Sequence, residues 1–432
     1  MELITLTLYL GLNIVMMFSY TLRKGDIYKA PFWFGAISLG WFAPQAIGGY
    51  QNYNIFPPSS FTSGMLFAFL CNLAFWLGWF VSVRRPLRES SILTIDFNEN
   101  KLFAASTFLA IFGFYFQWKL WSLPEDMLIG VAWSGTVVKY WFLSGVFKFA
   151  LIILWLMFLN KYSKIKKKYI LILLIPCFYL MFEAAVFRGR RAEIMNIVAY
   201  VLIGLWFIRA FVPPRISILT GLVLGLVFIN AIGIYRSLMY KSDLPFQQRV
   251  DAVLSADYVS YSQKVLDDSG EEFKNFIYQR EAIENIGEYD LGLYHWNEFV
   301  FNYVPAQVIG SEFKESLRFP LNDSRDLAQN QFSHYWKNGT TSTGYSDAFA
   351  SFGWLGFIKF ILCGYIMGCL YKYCSKGYIL PMILYIYLLN YAMHAVTHGT
   401  NEILIRQWVY FIFLVFPFLY FSSNKKVKFS VR

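Results

Sequence analysis

Hydrophobic positions along this chain fall in long unbroken runs and not in strict alternation. The runs cover 3–20, 31–50, 62–83, 102–122, 141–159, 169–187, 192–210, 216–235, 348–371, 379–396 and 403–421. Each is close to the roughly 20 residues a helix needs to cross bilayer hydrocarbon. An outer-membrane barrel would instead show short alternating apolar and polar segments. The pattern therefore predicts an all-α, polytopic integral membrane protein with about 11 transmembrane helices. Only Met1 and Glu2 precede the first run, without a basic stretch or small-residue cleavage site, so it reads as a retained span and not as a signal peptide.

Composition agrees. Of 432 residues, 57% are hydrophobic and only 15% charged, which excludes an ordinary soluble domain. The cysteines Cys71, Cys177, Cys363 and Cys369 fall in the spans and Cys374 at a span edge, with neither a disulfide framework nor zinc-type spacing. No internal repeat of the transporter kind is evident.

Lysine and arginine set the expected orientation. The connections Leu22 to Lys29, Val83 to Lys101, Asn160 to Lys168, Arg209 to Arg215 and Tyr371 to Gly377, with the tail Asn424 to Arg432, are basic and are expected to be cytoplasmic. Gln51 to Phe61 and Ser122 to Lys139 are nearly free of basic residues. The N-terminus is then outside and the C-terminus inside. This divides the chain into a transmembrane bundle at 1–235, one large extracytoplasmic loop or cap at 236–345, and a second bundle with a basic tail at 346–432. Between Lys241 and Tyr345, nine Lys and Arg stand against sixteen Asp and Glu, a net −7 in a chain of net +11. The basic excess lies beside the spans, where it signals topology and membrane-lipid contact; nothing points to nucleic acid. Within the loop, Phe246 to Ile286 carries apolar positions at irregular helical spacing among charges, as surface helices over the bundle would.

Three stretches carry candidate chemistry, all on the expected outer side. In Phe187-Arg188-Gly189-Arg190-Arg191-Ala192-Glu193, three guanidinium forks surround a glycine that lets backbone come close. A guanidinium matches phosphate oxygens two at a time, so Arg188, Arg190 and Arg191 suit a diphosphate, with Arg236 at a similar depth. The plainer alternatives are pairing with Glu183 or Glu193 and snorkelling to lipid. Arg280, Arg318 and Arg325 are weaker candidates, each with acidic neighbours. The second stretch, Asn338 to Ala348, is polar and hydroxyl-rich, and Thr341 and Tyr345 suit sugar recognition; equally, Thr343 or Ser346 suits a helix N-cap. Gly364 and Gly368 have the spacing of close helix packing. In the third, His394, His398, Glu402 and Arg406 would share one helical stripe. His394, His398 or Asp347 is a candidate general base and Arg406 a candidate substrate ligand, against the alternative that Glu402 and Arg406 are only an ion pair. Lys359 is an intramembrane charge whose partner the sequence does not name. No metal or cofactor site is expected; the pairs Asp267-Asp268 and Glu271-Glu272 read as a solvated face.

Together, the many-span layout, the large loop, the Phe187 to Glu193 junction, Tyr303-Val304-Pro305-Ala306, and Thr343 to Ala348 running into Phe352-Gly353-Trp354-Leu355-Gly356 resemble the bacterial oligosaccharide repeat-unit (O-antigen) polymerases, the Wzy family. The resemblance implies a multispan glycosyltransferase at the outer face of the bacterial inner membrane. It would join repeat units carried on undecaprenyl diphosphate, with a chain-length regulator protein as a possible partner. Arginines would neutralise the departing diphosphate while a base takes the proton of the attacking hydroxyl, giving inversion. The family's paired loop motifs of arginine followed by apolar residues are not clear here. An O-antigen ligase shares this chemistry, and a lipid-linked oligosaccharide flippase is the alternative from another class. Clustering of ionisable residues at one face favours an enzyme over a transporter.

Overall fold

The computed structural model describes the chain except residues 88–91, 125–135, 187–189, 219, 222–223, 226, 228–230, 232–233, 236–237, 239–245, 259, 261–262, 264–268, 305, 338 and 424–432. The regular secondary structure of the described residues is all helical, with a single isolated bridge between Phe97 and Ser423 and no strand. They divide into two compact units. One holds Met1–Arg85, Pro213–Cys369 and Tyr391–Trp408; the other holds Pro86–Val212, Leu370–Asn390 and Val409–Arg432.

Seven helices among the described residues, not eleven, are long and apolar enough to cross a membrane: Glu2–Ser19, Ser60–Arg84, Thr136–Leu159, Lys167–Val186, Ala192–Arg209, Gly344–Cys374 and Ile379–Thr397. The chain is thus an all-helical, membrane-embedded protein. The other four expected spans are not among these seven. The run 31–50 is split into Ala30–Ile37, a π-helical turn Ser38–Phe42 and Ala43–Gln51. Pro44 has no N–H for the ladder, and one wider turn absorbs the mismatch. The run 102–122 forms one helix, Glu99–Trp121, but its polar residues dilute its hydropathy below that of a span. The run 216–235 lies in part outside the described residues. The run 403–421 is broken into a π-helical turn Glu402–Arg406, Gln407–Leu414 and Phe416–Phe421.

The described residues of segment 236–345, expected as a loop or cap with surface helices, are largely helical. It contains Phe246–Leu254, Glu271–Ile286, Leu293–Tyr303, Ala306–Ile309, Ser311–Ser316 and Ser324–Phe332. Glu271–Ile286 is built into the first unit. Its Phe273, Phe276 and Ile277 are fully buried. Glycines make room for them: a Cβ at Gly49 would stand 2.3 Å from Phe273, and one at Gly64 2.4 Å from Ile277. Gln45 Oε1 accepts the Phe273 N–H, filling one of the donors a helix start leaves open. Phe42, Phe273, Phe276, Tyr345 and Phe360 form the aromatic heart of this unit, with Tyr345 and Phe42 centroids 4.9 Å apart.

Ser60–Arg84 and Phe357–Cys374 cross at backbone contact. A Cβ at Gly78 would lie 2.1 Å from Ile361 O, and one at Gly364 2.0 Å from Phe75 O. Without a hydrophobic drive between helices in lipid, such close approach maximises van der Waals contact.

In the second unit, Phe147–Leu159 is buried on nearly every side. Glu99–Trp121 packs on it through Gly113, where a Cβ would stand 2.8 Å from Phe147. Lys148 pairs with Glu193 at 2.6 Å, and Asn196 donates to the second carboxylate oxygen at 3.1 Å. The Lys167 ammonium closes the C-terminal carbonyls of the same helix, bonding Asn160 O at 2.8 Å and Phe158 O.

Candidate functional site

The polar centre of the first unit is Asp347. Its helix, Gly344–Phe352, starts where Thr343 Oγ1 accepts the Ser346 N–H at 3.2 Å, the N-cap that the hydroxyl-rich sequence offered. Gly344 is required there, because a Cβ would lie 1.8 Å from Ala395 O. Asp347 Oδ2 accepts the Thr400 N–H at 2.7 Å and the Thr400 hydroxyl. The carboxylate therefore sits just before the helical turn Glu402–Arg406, where unpaired N–H groups favour an anion.

The partner of Lys359 is this carboxylate. Lys359 Nζ lies 2.9 Å from Asp347 Oδ1, 2.6 Å from Ser351 Oγ and 3.3 Å from Asp347 O, so the ammonium has three acceptors. On a straight helix, twelve residues would separate the two side chains by about 18 Å. Gly353, at φ 56°, breaks the helix, and the turn Gly353–Gly356 folds the two parts together. Gly356 permits it, since a Cβ there would lie 2.0 Å from Ala348 O.

His295 completes the cluster from the helix Leu293–Tyr303. Its Nε2 is 3.8 Å from Asp347 Oδ1, and the residue is 6% exposed. Asn401 stands close enough to raise its proton affinity slightly, yet no hydrogen bond of normal length and angle reaches either ring nitrogen or Asn401 Oδ1 among the described residues. Burial pushes the imidazole below its usual value, only partly offset by the Asp347 charge, so the ring is neutral at neutral pH. A neutral imidazole backed by a fixed carboxylate is equipped to accept a proton. Asp347 itself, committed to Lys359 and Thr400, is placed to orient and to hold charge.

The remaining candidates take varied places. Thr341 Oγ1 donates to Thr397 O at 2.8 Å. Tyr345 is fully buried, its hydroxyl donating to Asn72 Oδ1 at 2.8 Å and lying 3.2 Å from Tyr9 OH. Asn72 in turn donates to Asn13 Oδ1 and Ser38 Oγ, so Tyr345 belongs to a buried network that ties four helical elements. His394 and His398 stack with centroids 4.6 Å apart, and His398 Nδ1 lies 2.7 Å from Thr397 Oγ1. Arg406 pairs with Glu402 at 2.7 Å, and its carbonyl accepts the Tyr303 hydroxyl. Arg280 is buried between the Phe349 and Trp354 rings and bonded to Glu281 and Glu284.

The arginine stretch belongs to the second unit. Arg188 and Arg236 lie outside the described residues, as does the side chain of Arg191, whose backbone opens the helix Arg191–Arg209. Arg190 stands over the Trp141 ring at 5.5 Å, within electrostatic reach of Glu193. Asp347, Thr341, His394 and His398 share the first unit with His295 and Lys359.

His295 was not singled out by sequence. A lone histidine in a helix whose exposed face is aromatic carries no spacing signal. Among the described residues no group of three or more His, Cys, Asp or Glu side chains converges as a metal site would require. Comparisons with protein-family models, with curated proteins and with solved structures return no match.

Proposed function

We propose that the protein is a membrane glycosyltransferase that polymerises undecaprenyl-diphosphate-linked oligosaccharide repeat units at the outer face of the bacterial inner membrane. The observation that carries the proposal is the Asp347, Lys359 and His295 cluster. Buried ionisable groups in a membrane protein are costly, and the usual return on that cost is function. Here the cluster includes a neutral imidazole with unfilled hydrogen-bonding capacity. His295 takes the proton of the acceptor hydroxyl as that oxygen attacks the anomeric carbon, and Asp347 stabilises the imidazolium that forms. Lys359, 2.9 Å from Asp347 Oδ1, holds that carboxylate in place. The role of holding the departing diphosphate is the one the motif resemblance gives to Arg188, Arg190 and Arg191. The motif resemblance, and not the cluster, supplies the lipid-diphosphate donor.

The test is in vitro polymerisation of a lipid-linked repeat unit by purified protein, wild type beside His295→Gln, Arg190→Lys and Arg191→Lys. Wild type should give a ladder of longer lipid-linked glycans. His295→Gln should lower kcat by roughly 100-fold or more, in the range of a lost general base. Lysine keeps the arginine charge but loses the fork, so those variants should weaken donor use. No ladder from wild type with the host's own lipid-linked unit would overturn the proposal.

A further inference from the structure

The helix Leu293–Tyr303 has its polarity inverted. His295, Asn297 and Val300 face inward and are buried, whereas Tyr294, Trp296 and Phe301 face outward. Phe301 is 54% exposed, and Phe313 on the helix Ser311–Ser316 is 56% exposed. A helix over a bundle in water presents the opposite arrangement. The aromatic face is also held rigidly. Asn297 exchanges two hydrogen bonds with the Phe319 backbone, each 2.8 Å, the Trp296 indole donates to Leu317 O at 2.7 Å, and Lys314 Nζ bonds Phe301 O while lying over the Phe301 ring. Ordering exposed rings against solvent yields nothing unless something apolar meets them.

What meets them is indicated by where the segment is tied. Its entry bonds to a candidate membrane span: Asp290 N–H donates to Ala350 O and Leu291 N–H to Ser351 O, both in Gly344–Cys374. Its exit is tied by the Tyr303 hydroxyl to Arg406 O, shortly after the span Ile379–Thr397 ends. A Cβ on Gly292 would touch the exposed Phe352 ring at 3.7 Å. Beyond it, Leu355 and Ile358 are exposed on the same span. The segment's first glycine thus lies beside the exposed apolar side of a candidate membrane-crossing helix, with the half-buried Glu298 the one acidic residue on the stripe from Tyr294 to Phe301.

We propose that the helices Leu293–Tyr303 and Ser311–Ser316 lie in the interfacial zone of the bilayer, with Trp296, Phe301 and Phe313 against lipid and His295 turned to the protein. Amphipathic aromatic rings with a bonded polar tip are at home at that depth, as is a lysine whose stem lies along a ring. The segment carries acidic as well as basic residues (Glu298, Glu312 and Glu315 beside Lys314 and Arg318), so the contact is made by ring insertion and does not rely on anionic headgroups. This surface sets the height of His295 relative to the membrane. The placement is independent of any catalysed reaction.

Nitroxide labels at Phe301→Cys and Phe313→Cys, in full-length protein reconstituted in phosphatidylcholine nanodiscs, test it directly. Oxygen and a water-soluble nickel chelate report depth, with Asp326→Cys, on the helix Ser324–Phe332, as the aqueous reference. Four native cysteines are buried and Cys369 half-buried, so protein without an added cysteine supplies the background. Both positions are exposed, and folding is checked by monodispersity. The expected result is high oxygen and low nickel accessibility at 301 and 313, the reverse at 326. Nickel accessibility at 301 and 313 equal to that at 326 would overturn the proposal. So would exclusion of both probes together with spin–spin coupling between protomers, which would assign the face to a second copy of the chain.

Discussion

Lys359 Nζ stands 2.9 Å from Asp347 Oδ1, both side chains nearly excluded from solvent, although the two residues sit on either side of a helix break. The pair locks the angle at Gly353 and presents the carboxylate to His295. Removing one partner of such a pair leaves an unpaired buried charge, at a cost of about 3–5 kcal/mol. Lys359→Met and Asp347→Asn should each lower the thermal midpoint in detergent, followed by loss of the monodisperse size-exclusion peak. Combined, they should cost clearly less than their sum, because neither charge then remains without its partner. Strict additivity would show that the pair does not couple.

Tyr345 distinguishes a structural hydroxyl from a sugar ligand. Tyr345→Phe removes a donor to Asn72 Oδ1 and a contact with Tyr9 OH in a buried network. The expected loss is about 1–3 kcal/mol of stability, since the Asn72 acceptor is left unfilled. Turnover per folded molecule should be unchanged. A raised KM with unchanged stability would return Tyr345 to the substrate.

Glycine positions on the crossing helices give a sharper steric test. At Gly364 a Cβ would collide with the Phe75 carbonyl, a backbone atom that cannot step aside, whereas Gly11 has nothing within 4 Å. Gly364→Ala should destabilise by about 1–3 kcal/mol or more through overpacking. Gly11→Ala should be neutral or slightly stabilising, as alanine is the better helix former. The same detergent thermal assay separates them, and equal tolerance would contradict the close crossing.

Hydrophobic run length was enough to read an all-helical membrane protein, and the Gly-x-x-x-Gly spacing at Gly364 and Gly368 foretold the tight crossing. The count of spans was less legible. A π-helical turn interrupts the regular ladder within 31–50, and within 403–421 one helix ends at Leu414 and another opens at Phe416 beside Pro417, where an average over the window shows a single run. Within segment 236–345 the helical spacing of Phe246 to Ile286 was legible as surface helices, but not that Phe273, Phe276 and Ile277 of Glu271–Ile286 would be fully buried, since the glycines that make room for them are distant in sequence. At the site, the Thr343 cap and the Glu402–Arg406 pair follow from local spacing and were visible. The Asp347–Lys359 pair was hidden because it depends on a left-handed glycine, and His295 because its partners lie 52 and 106 residues away, at Asp347 and Asn401.

Histidine protonation should set the acid limit of the fold. His334 Nε2 lies 2.8 Å from Asn275 Oδ1, so the neutral ring donates there. Burial, and then Lys274 and Lys337, push its pKa below the usual value, against the pull of Glu271. Burial acts the same way on His295. The unfolded chain takes up these protons near pH 6.5 while the folded chain resists, so between the two values the unfolded state binds more protons. Stability should therefore be full above about pH 6.5 and fall as pH drops through the depressed folded values. Thermal midpoints measured from pH 8 to pH 5 should decline on the acid side, and His334→Asn should flatten that decline while keeping an amide near Asn275. A midpoint that rises on acidification would mean that the rings gain protons more readily in the fold, and that Asp347 and Glu271, not burial, govern them.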